Sequence, residues 1–302
     1  MTSLEHNSNR EISPRKEALV DAVISGLKAT YFLHEKLGDA GTTEHQLNEF
    51  GEMALVMDIL SEEEIISSLK ETHISMQVVS EEHGEFSIGD KPEYMVILDG
   101  LDGSNEYKSR RGKAMYGAMV GILEGVDPAY DDYLVCGIMI HSPTPHMFLA
   151  IKDQGCFLVN VATGEKKLIQ TENKELSDQS PIDIDTNWPP YEEVFNTNKK
   201  DFPNMDCRNR SAAARIAMFL NGDIEIGLEW SRKKNLEQAV VYGLVREAGG
   251  VHVTADGLGI GIQDFKSFAQ NKIPLIIASN RSLAMQVSER FDLRRLDSRK
   301  QK

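Results

Sequence analysis

Two carboxylates, Asp99 and Asp102, fall in the run Val96-Ile97-Leu98-Asp99-Gly100-Leu101-Asp102-Gly103-Ser104. The apolar half reads as a buried strand, and Gly100 and Gly103 punctuate the acidic half as turn residues. A strand of that kind delivers Asp99 to its carboxyl end, where open α/β sheets gather their ligands, and a tight turn would fold Asp102 back beside it. Neighbouring carboxylates raise each other's pKa and resist joint ionisation. A hard divalent cation removes that cost: Mg²⁺ prefers oxygen ligands and commonly takes one or two carboxylates together with a substrate phosphate. An ordinary Asp-Gly surface turn uses the same residues, so this stretch alone leaves both readings open. An EF-hand loop is excluded, because its third and fifth positions need oxygen side chains and here they would be Leu101 and Gly103.

Further acids recur at the ends of neighbouring elements. Met76 to Ser80 reads as a strand followed by Glu81 and Glu82, and Ala54 to Asp58 as a strand ending in an acid. Ser61-Glu62-Glu63-Glu64 then reads as a capping box for a helix through Ile65, Ile66 and Leu69. Asp58, Glu81, Glu82, Asp99 and Asp102 are thus expected to converge at one end of a sheet.

The elements that must hold these acids can be read from periodicity. Pro14 to Leu37 carries apolar residues at helical spacing, closed by Gly38. Tyr116 to Leu123, Tyr133 to Ile140 and Met147 to Val159 read as strand-like segments, the last interrupted by Gly155 and the set antiparallel in part, so the first half is strand-rich. Leu168 to Asn209 is polar and weakly patterned apart from Pro181 to Thr186. After it come a helix (Ser211 to Leu220), a strand (Asp223 to Leu228) ending at Glu229, a helix (Asn235 to Ala248) stopped by Gly249-Gly250, a strand (Leu275 to Ala278) and a closing helix (Leu283 to Phe291). The second half therefore alternates strand and helix. An α/β (α+β) chain divided at 14–165 and 166–293 is expected.

The chain has 302 residues, of which 41% are hydrophobic and 26% charged, enough for a sizeable core. Its three cysteines, Cys136, Cys156 and Cys207, suggest neither a disulfide framework nor a zinc site. Met1 to Pro14 lacks the apolar core of a secretory signal, and no run is long enough to span a bilayer, so a cytoplasmic protein is expected. A formal charge of -14 argues against nucleic acid or an anionic membrane as partner, since both are held by clustered Lys and Arg. An acidic protein can still take an anionic substrate if metal masks the repulsion locally. The eight histidines show no metal-binding spacing such as His-Glu-x-x-His.

Taken together, these motifs resemble the inositol monophosphatase family, which includes fructose-1,6-bisphosphatases and adenosine bisphosphate phosphatases. Asp99-Gly100-Leu101-Asp102-Gly103-Ser104 is similar to that family's Asp-Pro-hydrophobic-Asp-Gly-Ser/Thr motif, with Tyr107 at its aromatic position. Ser80-Glu81-Glu82 resembles its Gly/Ser-Glu-Glu motif, and Glu237 with Val245-Arg246-Glu247-Ala248-Gly249-Gly250 its late motif. The likeness runs from about Lys16 to Phe291.

It implies a layered αβαβα sandwich and two or three Mg²⁺ ions held by Glu81, Asp99, the Leu101 carbonyl, Asp102 and Glu237. Asp58 would support a further position. Glu81 and Ser104, with Asp58, would serve the attacking water. Gly103, Ser104, Arg210, Ser211, Ala212, Glu229, Lys233 and Lys234 would meet a small phosphorylated sugar, polyol or nucleotide. A homodimer or homotetramer is implied by the same analogy. Four departures stand out: Gly100 replaces proline and so removes a fixed φ and loosens the turn, Glu106 replaces the usual Asn, Leu236-Glu237 replaces Trp-Asp, and Arg210 stands where many inositol phosphatases have Gly.

The competing reading is a degenerate member that keeps the fold and binds metal as a regulatory or interaction protein. Phosphate release with and without Mg²⁺ separates the two. Arg232, Lys233 and Lys234 are a candidate clamp for a second phosphate. Arg110, Arg111 and Lys113 read equally as a phosphate contact or a solvated basic loop.

Overall fold

The structure is a computed structural model, and it describes residues 13–47, 53–207, 210–231, 236–268, 270 and 272–297. Helix α1 (Pro14–Leu37) starts where the Ser13 side chain accepts from the Lys16 amide and ends at Gly38, whose φ of 52° suits glycine. Strands β1 (Glu44–Leu47) and β2 (Met53–Leu55) pair antiparallel and lead into helix α2 (Val56–Lys70). The expected strand over Ala54 to Asp58 is therefore cut short at Leu55. Asp58 sits in the first turn of α2, where its carboxylate accepts the Leu55 amide, a bond that satisfies an orphan donor at the helix start. Ser61 to Glu64, expected to cap the helix, lies inside it.

There follow β3 (Met76–Ser80), β4 (Gly84–Ile88), β5 (Tyr94–Asp102), the short helix α3 (Ser104–Arg110), β6 (Tyr116–Glu124), β7 (Tyr133–Ser142), β8 (His146–Ile151), β9 (Gly155–Val159) and β10 (Lys166–Ile169). Among the described residues they form an eight-stranded sheet in the order β10-β9-β8-β7-β6-β5-β3-β4. Every neighbouring pair is antiparallel except β3 with β5. The strand-like stretch from Met147 to Val159, which Gly155 interrupts, forms two strands, because a turn with Asp153 at positive φ reverses the chain just before Gly155.

The second half contributes β11 (Ile182–Ile184), α4 (Pro189–Asn198), β12 (Met205–Asp206), α5 (Ala212–Asn221), β13 (Ile226–Ser231), α6 (Glu237–Glu247), β14 (Val251–Thr254), α7 (Phe265–Phe268), β15 (Ile273–Ala278) and α8 (Arg281–Arg290). Its five-stranded sheet, again among the described residues, runs β12-β11-β13-β15-β14.

Alternation along β5 shows the layering. Val96 and Leu98 face α1 and α2 in one apolar cluster with Leu19, Val23, Ile65 and Leu69. Met95 and Ile97 face the other way, into a cluster with Ala213 and Ile216 of α5, Val240 and Leu244 of α6, and Leu275 and Ile277 of β15. Ile276 and Ala278 turn outward to Tyr191 of α4 and Leu283 of α8. Period-two strands buried on both faces thus fix helix, sheet, helix, sheet, helix, the αβαβα order. No helix among the described residues is long and apolar enough to cross a membrane.

Candidate metal centre

The end of β5 does not turn, as the glycines suggest, but stays in the sheet through a bulge. Asp99 pairs with Met119 and Asp102 with Gly117, so three steps along β5 oppose two along β6. The extra residue kinks the strand and re-aims its side chains. Leu101's amide donates to Asp99 Oδ1 at 2.8 Å, which locks the kink. Gly100 is not a slack position. A Cβ there would meet the Asp58 carbonyl at 2.4 Å and the Glu62 amide nitrogen at 2.9 Å, so the glycine lets α2 press its backbone against the bulge.

Asp102 accepts the Ala213 amide from the start of α5. Glu237, the first residue of α6, completes the group, and one ligand oxygen from each of Asp99, Asp102 and Glu237 lies within 4.8 Å of the others. An all-oxygen carboxylate set of this size fits a hard divalent cation. The electrostatics point the same way. Burial, then the charges of Glu81, Asp102 and Glu237, push the Asp99 carboxyl well above the usual carboxylate range. Glu81 is pushed up by burial and then by Glu237, Glu82, Asp102 and Asp58. Glu81 lines the same cavity, although the tightest group of three does not include it.

Asp58 lies behind Ser104 and does not line the cavity. Its two oxygens are occupied, one by the Leu55 amide and one by the Ser104 hydroxyl, which donates at 2.8 Å. Burial pushes its carboxyl up to about 6, against the opposing effect of those two hydrogen bonds. Ser104 Oγ also lies 3.0 Å from the Leu101 carbonyl. Gly103, at φ 103°, turns the chain from β5 into α3, and a Cβ on it would meet Tyr116 Cβ at 2.8 Å.

The cavity, about 490 Å³, is walled on its far side by Asp185, Asn187, Arg210, Ser211, Ala212, Arg215, Glu229 and Gln238. Ser211 caps α5 by accepting the Ala214 amide. Arg210 is tied back to Asp183 at 2.8 Å and to Asp206 at 2.5 Å. Glu229 is buried and accepts from Gln238 at 2.8 Å and from Arg215 at 3.4 Å. Lys233 and Lys234 lie outside the described residues, and Arg110, Arg111 and Lys113 do not line the cavity.

Pattern reading missed Glu62, Asp183 and Arg215. Glu62 is fully buried and accepts from the Glu81 and Glu82 amides at 3.1 and 3.3 Å, from the Ser80 hydroxyl, and from the His83 ring at 2.6 Å. Asp183 receives Arg215 at 2.6 Å as well as Arg210. For Arg215 there was a signal, a lone charge in the small apolar run Ala212-Ala213-Ala214-Arg215-Ile216-Ala217.

A family model described as the inositol monophosphatase family matches residues 14–292. A curated relative, the fructose-1,6-bisphosphatase/inositol-1-monophosphatase of Methanothermobacter thermautotrophicus, is 31% identical over 110 residues, 34% of this chain and 38% of that protein. The match thus spans well under half the length of that relative. Among solved structures, the fructose-1,6-bisphosphatase of Leishmania major superposes with a TM-score of 0.70 at 16% identity, covering 93% of this chain and 95% of that one. An IMPase of Thermotoga maritima gives 0.70 at 14%, covering 91% and 98%. At such identities the two structures speak for the fold.

Proposed function

The chain belongs to the inositol monophosphatase family, and from that premise we propose that it is a Mg²⁺-dependent phosphatase acting on a phosphate monoester of a small sugar, polyol or nucleotide. The observation that carries the reading is the convergence of Asp99, Asp102 and Glu237 on one small volume at the floor of a polar cavity. Two or three Mg²⁺ ions held by Glu81, Asp99, the Leu101 carbonyl, Asp102 and Glu237 would polarise the phosphate, acidify a water and stabilise the leaving oxygen.

In this reading the side chains handle position and protons. The Ser104 hydroxyl donates to Asp58, so Oγ keeps a lone pair to accept from a water facing Glu81. Asp58, with its carboxyl near 6, is mostly ionised at neutral pH and basic enough to draw a proton through Ser104 Oγ. Its enclosure behind Ser104 suits that relay better than the further metal position the family likeness suggests. Ser211 and Ala212 present the start of α5 to the substrate, Arg210 and Glu229 flank it, and Gly103 keeps the floor open. Lys233 and Lys234 would meet a second phosphate.

The test is phosphate release across a panel of sugar, polyol and nucleotide phosphates, with Mg²⁺ and with chelator. Mg²⁺-dependent release from at least one member is expected. Its absence across the panel would leave a non-catalytic role. A matched mono- and bisphosphate pair in the panel examines the Lys233-Lys234 assignment: equal rates at low substrate would remove it. For Ser104→Ala, kcat should fall roughly 10²-fold, the lower end for a positioned proton-transfer group, with a much smaller change in KM. An unchanged kcat would take Ser104 out of the mechanism.

A further inference from the structure

We propose that Glu62 is a positioning residue that sets the metal affinity of the centre without touching the metal. The inference rests on the metal-dependent reading above. Glu62 is 0% exposed on α2, one turn beyond Asp58. A buried carboxylate is costly unless hydrogen bonds replace its water, and here they all come from one segment. Oε1 accepts the Glu81 amide at 3.1 Å and the Glu82 amide at 3.3 Å. Oε2 accepts the Ser80 hydroxyl, the His83 ring nitrogen at 2.6 Å and a share of the Glu82 amide at 3.3 Å. With both oxygens committed, Glu62 is no ligand. It fixes the backbone that carries Glu81.

A second contact joins the same side chain to the other ligand segment. A Cβ on Gly100 would stand 2.8 Å from Glu62 Cγ, so the bulge bearing Asp99 and Asp102 rests on the stem whose head holds Glu81. Glu62 therefore sets the spacing between the two carboxylate-bearing segments. Residues that orient ligands from behind typically change metal affinity or activity by about 10–100-fold when replaced.

Metal-free protein titrated with Mn²⁺, with free ion followed by electron paramagnetic resonance, tests this directly. Wild-type protein should bind; failure to bind would sink the metal reading itself, before Glu62 is at issue. Glu62→Gln keeps the shape but points an N–H donor at a ring of donors. It should weaken Mn²⁺ binding by about 10–100-fold, while saturating Mg²⁺ restores phosphate release to within a few-fold of wild type. Folded Glu62→Gln protein with wild-type affinity would overturn the proposal, and so would an activity loss that saturating Mg²⁺ leaves in place. Should Glu62→Gln not fold, Ser80→Ala removes one donor from the same cradle. A few-fold weaker Mn²⁺ affinity is then expected, and an unchanged one overturns the proposal equally.

Discussion

Asp99→Asn is expected to cost roughly three orders of magnitude in Mg²⁺-dependent phosphate release, the equivalent of about 4 kcal/mol of lost transition-state stabilisation. The same change should stabilise the metal-free protein. Asp99 is buried among like charges, with Glu81, Asp102 and Glu237 all raising its pKa, so its neutral isostere removes a repulsion. Asparagine keeps Oδ1 for the Leu101 amide, the 2.8 Å bond that locks the bulge, and hardly changes volume. Chains of about 150–250 residues shift their melting midpoint by roughly 2–4 °C per kcal/mol, and this longer one by somewhat less, a change that differential scanning calorimetry in chelator resolves. Near wild-type turnover from folded mutant would remove Asp99 from the metal site. A lower midpoint in chelator would show its charge to be anchored rather than repelled.

Gly100→Pro should not repair the motif, although proline is the residue the family likeness leads one to expect. Any Cβ at this position points at the Asp58 carbonyl, 2.4 Å away, and at the Glu62 amide nitrogen, 2.9 Å away. Backbone cannot swing aside as a flexible side chain can, so α2 must shift. Overpacking of this kind costs about 1–3 kcal/mol and occasionally more. The shift would also carry Asp58 away from Ser104 and Glu62 away from the Glu81 turn. The expected result is a melting midpoint lower by several degrees together with weaker Mn²⁺ binding. Gly100→Ala should show most of it. A proline variant as stable as wild type, with equal or better turnover, would mean that the contact between α2 and the bulge is slack.

Legibility in the sequence tracked the range of the interactions. The individual helices and strands could be anticipated because long periodic runs such as Pro14 to Leu37 and the apolar strands each carry their own burial signal, while their layering followed only from the family likeness. Asp99, Asp102 and Glu81 stood out as acids at the ends of such runs. Glu237 was legible only by family likeness, since nothing local marks the first acid of a helix as a ligand. Asp58 reads as the end of a strand and lies instead in the first turn of a helix, because the strand signal of Ala54 to Met57 hides a helix start that a hydrogen bond from Leu55 decides. Glu62 and Asp183 were invisible for a different reason. Their partners, Ser80 to His83 and Arg210 with Arg215, lie far along the chain, and a charge without local context reads as surface. The polar stretch from Leu168 to Asn209 hid α4, even though Pro189-Pro190 marks its start.

Asp99 and Asp102 belong to a strand of the first sheet, while Glu237 opens a helix packed between the two sheets. An ion held by all three would therefore be a removable cross-link, closing a loop as long as the chain between Asp102 and Glu237. Such a link adds nothing to an unfolded chain that cannot assemble the site, and it must be broken before the layers separate. At a hundredfold excess over its dissociation constant it would deepen the native well by about 2.7 kcal/mol. To the extent that the unfolding transition state has already parted the sheets, that energy would appear as a slower unfolding rate, so resistance to proteolysis would rise and fall with free cation concentration.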